Sequence, residues 1–481
     1  MSDSDLHYLS ATDALAMFRS KELSPVELLT ALIDRAAEVE PVINAFAETR
    51  FDEAMDAARA AQERYAGRGE PPRPLEGLAV AVKEEAPIAG QRNTLGSVPL
   101  RDVVAEETAV FVQRILDAGG IVHARTTTPE FSAAPITWTN LWGVTRNPWN
   151  TDFSPGGSSG GSAASLAAGS TTLATGSDIG GSIRIPSSFC GVVGFKPPYG
   201  RVPEVAPWNL DHYCHEGPLA RTVADCLLLE NVIAGPHGSD IASVRPKLEI
   251  PADLPPVDGL RIAVSTSLGN YVVDDDVVAN TRAAAQRLAE AGAIVEEVSL
   301  PWDRAEIRRA VDIHFGMIFG ASMGEMVDQH GDQITSYVRR LVADASKIGK
   351  DDFLAGLELE ARIYAPLGAL LDDYDALICP TFAVPALPAE YDTGDPVEVN
   401  GVPAEHWLDV LMTLPFNIAS RCPVVAIPSG LARNGVPTGL SVVARTYDDV
   451  TAFRVAAAHA ARLPWLDAPE RRPGLTGGAA R

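Results

Sequence analysis

Cysteine is scarce, with five in 481 residues. Cys190, Cys214, Cys226, Cys379 and Cys422 are scattered, odd in number and without a C-x-x-C pair. This argues against a disulfide framework or a zinc knuckle and makes a reducing compartment the default. Positive charge is short as well: 39 basic residues against 63 acidic ones give a formal net charge of −24. Direct binding to nucleic acid or to an anionic membrane is therefore not expected. No apolar run approaches membrane-spanning length, and the opening MSDSDLHYLS is acidic and polar where a signal peptide is basic and then apolar. The expectation is a cytoplasmic protein. The nine histidines show no H-E-x-x-H or other ligand spacing, so no metal is expected. There is no internal repeat, and no low-complexity tract outside one Gly/Ser-rich stretch.

A hydrophobic fraction of 46% supports a sizeable core. Ser24, Pro25 and Glu27 form an N-cap, an N1 proline and a capping-box acid, with Val26, Leu29, Leu32, Ile33 and Ala36 as a buried stripe ended by Glu40 and Pro41. A second helix is expected from about 48 to 66. The apolar run Leu78 to Val82 then reads as a strand ending in Lys83, followed by a helix over 108–117 and the strand IVHARTT. That is a β-α-β rhythm, which implies a sheet with helices on its faces. It continues with a strand at 260–264, a helix at 278–291, a strand at 293–298 and longer helices to about 371. Strands around Leu377, Val425 and Ser441 complete the sheet.

The stretch from Ser154 to Pro197 organises the chain. It is rich in Gly and Ser, yet Ala163, Ala164, Leu166 and Ala167 read as a short helix, and Thr171, Thr172 and Thr175 as the start of a strand. Glycines on both sides of a serine clear space for a substrate and let successive N–H groups point into one concavity. GGSSG at 156–160 and GSSGG at 157–161 both satisfy G-x-S-x-G, and SDIGGS follows at 177–182. A lysine ending a buried strand, at Lys83, completes a set suited to nucleophilic catalysis.

With AVKEE around Lys83, TRNPW at 145–149, SPGGSSGGSAA at 154–164 and GSDIGGSIRIPSSFCGVVGFKP at 176–197, the chain resembles the amidase signature family of serine hydrolases. GPLARTVAD at 217–225, YDALICPT at 374–381 and PFNIASRCPVVAIPSG at 415–430 extend the match over nearly the whole length. The spacing fits too, with 75 residues from Lys83 to Ser158 and 24 from Ser158 to Ser182.

The resemblance implies an α/β fold with a central mixed, mostly parallel, twisted sheet covered by helices on both faces. It implies one domain over 1–481, with a helical arm at 1–72, a signature core at 73–235 and a C-terminal half at 236–470. It implies Ser182 as nucleophile, Ser158 as proton relay after a cis Gly157–Ser158 bond, and Lys83 as base. Backbone N–H groups of Ile179, Gly180, Gly181 and Ser182 would form the oxyanion hole. Ser159, Asp178 and Arg184 would support them by hydrogen bonding, with no metal and no cofactor. Lys83 acts as a base only when uncharged, which its place at the end of an apolar strand favours.

One departure stands out: the family usually has Asp-Asn after the lysine, where this chain has Glu84 and Glu85. Strand alternation puts Glu85 on the side of Lys83, where a carboxylate favours the ammonium form and an alkaline activity optimum. Trp138, Trp142, Tyr199, Trp208 and Phe315 are candidate apolar walls for a substrate, and His212 and His215 candidate pocket borders. The expected partner is a small amide, ester or carbamate, and the expected state a monomer or homodimer.

Two other readings stay open. One is an A-type component of an amidotransferase complex, although the glutamine-binding aspartate of such proteins aligns with Val410, leaving Asp409 one residue out of step. The other is a Ser-His-Asp esterase built on Ser158 with His459.

Overall fold

The computed structural model describes residues 3–475. Helix α1 spans Ala11–Ser20 and α2 Pro25–Ile43. The capping box closes as the sequence predicts: Glu27 N–H donates to Ser24 Oγ at 3.1 Å, and Ser24 N–H to Glu27 Oε2 at 2.8 Å. A serine cap of this kind is worth about 1 kcal/mol. Helix α2 does not stop at Pro41, as expected from the sequence, but runs on to Ile43. Asn44, in the left-handed region at φ 50°, donates to the Glu40 carbonyl at 2.9 Å, and Glu40 Oε2 accepts from the Ala45 and Phe46 N–H groups. These bonds hold the turn beyond the proline.

Glu48 and Thr49, expected to open the second helix, belong instead to strand β1, Phe46–Thr49, on the sheet edge; helix α3 begins only at Phe51 and ends at Tyr65. The arm thus contributes backbone to the sheet as well as packing on it. Strand β2, Ala79–Lys83, follows, then α4 (Val110–Asp117) and β3 (Ile121–Thr126). The Gly/Ser stretch folds as α5 (Gly160–Ala168), β4 (Leu173–Ser177), α6 (Arg184–Cys190) and β5 (Val193–Lys196). Next come β6 (Glu216–Ala220), α7 (Val223–Ile233), β7 (Arg261–Val264), α8 (Asp275–Glu290) and β8 (Ile294–Glu297). The long helices are α9 (Arg304–His330), α10 (Ser336–Ala345) and α11 (Asp352–Asp373). Strands β9 (Ala376–Pro380), β10 (Val424–Leu431) and β11 (Pro437–Ala444) precede α12 (Asp449–Ala460).

The eleven strands form one sheet in the order β1-β3-β2-β4-β6-β5-β10-β11-β9-β7-β8. The sheet is mixed. Parallel pairs lie toward the flanks, β3/β2/β4 on one side and β9/β7/β8 on the other, where the β-α-β rhythm operates. Every pairing across the middle, from β4 to β9, is antiparallel, as is β1 with β3, so the expected predominance of parallel pairs is confined to those flanks. Hairpin-like returns such as β10 to β11 need only a short loop, whereas parallel neighbours need a crossover.

Helices cover both faces. Helices α4, α7, α8 and α12 share one apolar core with Val80, Val82 and Phe195. On the other face α5 supplies Ala163, Ala164 and Leu166 against Ala81, Ala124 and Ala174. A third core gathers α9, α11 and the 382–422 segment around Phe315 and Phe416. Among the described residues no helix is long and apolar enough to cross a membrane.

Candidate active site

Strand β2 carries Lys83 at its C-terminal end, where it is 1% exposed. Its backbone N–H is taken by Thr175 Oγ1 at 3.2 Å. Arg125, buried beneath, donates to the Lys83, Glu84 and Ala86 carbonyls and so fixes the chain where the strand ends. The Lys83 ammonium nitrogen meets three groups: Ser158 Oγ at 2.7 Å, Ser177 Oγ at 2.9 Å and Glu85 Oε1 at 2.8 Å. Glu85 stands on the lysine side, as alternation predicts, and its other oxygen accepts from Ser132 Oγ. Burial works against its ionisation, but the Lys83 charge and the Ser132 and Ser177 hydroxyls outweigh this and hold the carboxyl below the ordinary range. Glu84 turns the other way and accepts from the Thr94 and Gly96 N–H groups; burial pushes its carboxyl up to about 7.

The Gly157–Ser158 peptide bond is cis. Gly157 has no room for a side chain, since a Cβ there would meet the Ile136 backbone. Ser159 N–H donates to the Ser182 carbonyl at 3.1 Å, which sets the two serine segments side by side, and Ser159 Oγ donates to the Ser177 carbonyl at 3.4 Å. Of the two G-x-S-x-G matches, the one centred on Ser158 therefore reaches the lysine, while Ser159 sits at the start of α5. The strand upstream of it, Gly143–Val144, ends well short of it, unlike the strand-turn-helix of an esterase elbow.

Ser182 is 7% exposed and follows Gly181 at φ 129°, a conformation that L side chains rarely adopt. The loop leading to it is held by a buried ion pair. Arg184 donates through Nε to Asp178 Oδ2 at 2.9 Å and through Nη2 to Asp178 Oδ1 at 2.8 Å. Asp178 also accepts from the Gly181 and Ile183 N–H groups, at 2.8 and 3.2 Å, and from Asn417 Nδ2 at 2.9 Å. Burial disfavours the charged form of Asp178, yet Arg184 and Asn417 hold its carboxyl far below the usual range. One expectation is corrected here. The Gly181 N–H is spent on Asp178, so it is not a free oxyanion donor, whereas those of Ile179, Gly180 and Ser182 have no hydrogen-bond partner among the described residues.

Two spaces border these groups. A narrow apolar pocket at Ser182 is lined by Ala134, Ile185, Phe315, Leu341, Trp407 and Leu411, and shares Phe315, Leu341 and Trp407 with an outer cleft of about 900 Å³. On the Lys83 side lies a cavity of about 390 Å³, bounded by Glu85, Ser177, Glu204 and Glu216 on its polar wall and by residues such as Phe131, Trp208 and Met323 on the apolar one. Glu204 and Glu216 share a hydrogen bond; burial raises both, Glu204 to about 7 and Glu216 well above the ordinary carboxyl range.

Of the five aromatic candidates, Phe315 and Trp208 line these spaces. The others pack elsewhere: Trp138 donates to the Tyr391 carbonyl and stands edge-on to Tyr337, Trp142 lies under Arg92, and Tyr199 donates to the Asn209 carbonyl. His215 borders the cavity as a buried ring bonded to the Asp178 and Ser420 carbonyls, and burial lowers it to about 3. His212 is half-buried and contacts Glu360 instead. His459 is buried, bonded to the Pro428 carbonyl, and lines a separate cavity with Tyr8, Arg221 and Trp465. That placement removes it as a partner of Ser158. Both oxygens of Asp409 are occupied by Arg308, at 3.0 and 2.9 Å, and Val410 is buried.

Sequence reasoning missed Ser177, Ser132 and Asn417. Ser177 and Asn417 lie inside quoted motifs, SDIGGS and PFNIAS, but only the fold shows which atoms they meet. Ser132 had no signal, since its partner Glu85 is 47 residues away.

The chain matches known proteins over nearly its whole length. The amidase family model matches residues 27–453. An acylamidase from Rhodococcus erythropolis is 34% identical over 97% of this chain and 98% of its own. The A-type component of the glutamyl-tRNA(Gln) amidotransferase of Chloroflexus aggregans is 33% identical over 98% and 99%. Among solved structures, a bacterial aryl acylamidase superposes with a TM-score of 0.90 at 29% identity, covering 97% of this chain and 99% of that one. A 6-aminohexanoate cyclic dimer hydrolase gives 0.85 at 28%, covering 98% and 99%. The chain belongs to the amidase signature family.

Proposed function

We propose that this protein is a stand-alone hydrolase of small carboxamides that works through a Ser182 acyl-enzyme. The observation that carries the reading is the 2.7 Å contact between buried Lys83 Nζ and Ser158 Oγ, next to Ser159, whose N–H is bonded to the Ser182 carbonyl. In the forward step uncharged Lys83 takes the Ser158 proton as Ser158 takes that of Ser182, whose oxygen attacks the carbonyl carbon. The developing oxyanion is met by the N–H groups of Ile179, Gly180 and Ser182, each such donor being worth roughly 3 kcal/mol of barrier. Ser158 then protonates the leaving nitrogen and recovers its proton from Lys83. Water cleaves the acyl-enzyme by the same relay. No step calls for a metal or cofactor.

The apolar pocket at Ser182 suits an aryl or aliphatic acyl group better than a charged one. A carbamate is an amide on one side and an ester on the other, so anilides, esters and urethanes fall within reach of the same chemistry. The likeness to the A-type components of amidotransferases supports a second reading, glutamine hydrolysis within a complex. Against it, Asp409 is bound by Arg308 rather than free to receive a substrate ammonium.

The test is turnover by the purified chain alone on a panel of aliphatic amides, anilides, carbamates and esters, with glutamine alongside. Release of acid and amine from simple amides, slowed about 10³-fold or more by Lys83→Ala, is the expected result. Activity on glutamine alone, or full activity of the Lys83→Ala variant across the pH range, would overturn it.

A further inference from the structure

Away from the lysine and its serines, the fold gathers metal-ligating side chains from three separate segments. His212 comes from the segment before β6, His314 from α9 and Glu360 from α11. One ligand atom of each lies within 4.8 Å of the other two, the one such group among the described residues. No sequence motif announces the set, because its members are up to 148 residues apart.

The surroundings orient each ligand. Asp211, 6% exposed, accepts from His314 Nε2 at 2.8 Å. With Nε2 turned to Asp211, the His314 ring directs Nδ1 toward Glu360 Oε1, 4.0 Å away. Tyr213 stacks on the His314 ring at 3.7 Å and 8°, and donates its hydroxyl to Glu360 Oε1 at 2.9 Å. The other carboxylate oxygen, Oε2, faces His212 Nε2 at 3.1 Å. A carboxylate behind a ligating imidazole is the usual support that fixes tautomer and raises basicity.

Tetrahedral zinc at its ordinary bond lengths sets neighbouring ligand atoms about 3.4 Å apart. The 3.1 Å separation is to Glu360 Oε2 and the 4.0 Å one to Glu360 Oε1, and one ligand atom from each residue lies within 4.8 Å of the other two, so small side-chain rotations bring the set to that spacing. Two imidazoles and one carboxylate suit zinc, cobalt or nickel better than magnesium or calcium. The His212 side chain is 29% exposed, which leaves a fourth position to water.

We propose that His212, His314 and Glu360 form a binding site for a divalent transition-metal ion such as Zn²⁺, which pins the 208–216 segment to α9 and α11. That segment supplies Trp208, Cys214 and Glu216 to the wall of the 390 Å³ cavity, and α9 supplies Phe319. An ion here therefore stiffens a substrate wall without touching the reacting atoms.

The test uses the full chain, stripped with EDTA and dialysed, then titrated calorimetrically with ZnCl₂ and, separately, with CoCl₂ while the visible absorbance is followed. One equivalent should bind at low micromolar concentration or tighter, and Zn²⁺ should raise the thermal unfolding midpoint. The His212→Ala/His314→Ala double variant should weaken binding roughly tenfold or more and abolish the midpoint shift. Glu360→Gln, which keeps shape, should weaken it in the same direction and serves if the double variant misfolds. His237→Ala, outside the set, should bind as the parent does. Absence of saturable uptake, or uptake unchanged in both ligand variants, would overturn the proposal. These readouts do not depend on which amide the protein cleaves.

Discussion

Glu85 Oε1 lies 2.8 Å from Lys83 Nζ while Ser132 holds the other carboxylate oxygen, so the candidate base faces a fixed negative charge. A charge at that distance favours the ammonium form, which is the inactive one in the proposed relay. Replacing Glu85 with Gln keeps the shape and removes the charge. The acid limb of the kcat/KM profile should move to lower pH in this variant. An unmoved limb would show that the carboxylate has no part in setting the working pH.

The same pair has a stability consequence of opposite direction. Because the Glu85 carboxyl is depressed in the folded state, its contribution is complete above the unfolded value near 4.5 and is lost as pH falls through the folded one. Thermal midpoints of wild type and Glu85→Gln should therefore converge in acid and separate above about pH 5. Midpoints separated by the same margin at all pH values would contradict this.

Removing a member of the relay should leave a folded but slow enzyme. Lys83→Ala and Ser158→Ala are expected to lose about 10³-fold or more in kcat/KM on an amide. Ser182→Ala should lose as much and also fail to take up a fluorophosphonate, which intact-mass measurement reads as a missing adduct. Adduct formation persisting in Ser182→Ala would move the nucleophile elsewhere.

Asp178 and Arg184 are both fully buried, and Asp178 organises the turn before Ser182 through Gly181 and Ile183. Asp178→Asn strands the guanidinium charge in the core, a loss of about 3–5 kcal/mol for a buried pair broken from one side. The denaturant midpoint should fall accordingly. A shift comparable to that of an exposed ion pair would mean that the guanidinium finds another partner.

What the sequence reveals of this molecule depends on how local the determinant is. The capping box of α2 and the short helix α5 are each written within a few residues, and both form as read. Strand β1 reads as helix in the sequence because the alanine-rich run that makes α3 extends its helical signal backwards, whereas pairing with β3 comes from a segment more than 70 residues away. Antiparallel pairing across the middle of the sheet is equally non-local. In the candidate site, the meeting of Lys83 with Ser158 and the pairing of the two serine segments are legible through motif and spacing, and the side on which Glu85 stands through alternation. The use of the Gly181 N–H by Asp178 is not, since it depends on backbone angles at one turn. Nor is the meeting of His212 with Glu360.

Phe315 reaches from α9 to the backbone next to Ser182, its ring edge 3.1 Å from where a Cβ on Gly180 would stand. Phe315→Ala should open the pocket toward the outer cleft and shift preference toward longer or bulkier acyl groups. The ratio of kcat/KM values for a long-chain and a short-chain acyl anilide is the measurement, and a ratio equal to wild type would remove Phe315 from substrate selection.

The buried acids on the cavity wall make the folded protein lose stability as pH rises through neutrality. Burial raises the Glu204 carboxyl from 4.5 to about 7, its hydrogen-bonded neighbour Glu216 is raised well above the ordinary range, and Glu85 nearby adds to both effects. The folded state thus binds a proton in a range where the unfolded chain has released it, so stability is greatest below about 4.5 and declines toward 7 and beyond. Glu40 and Glu84, each raised to about 7 by burial, slope the same way. Glu204→Gln removes one of these groups while keeping a donor for Glu216. Its midpoint should fall less steeply than that of wild type between about pH 5 and pH 8, and it should exceed wild type at the alkaline end. Parallel curves would mean that the Glu204 carboxyl titrates as it does in water, and the shared proton between Glu204 and Glu216 would have to be abandoned.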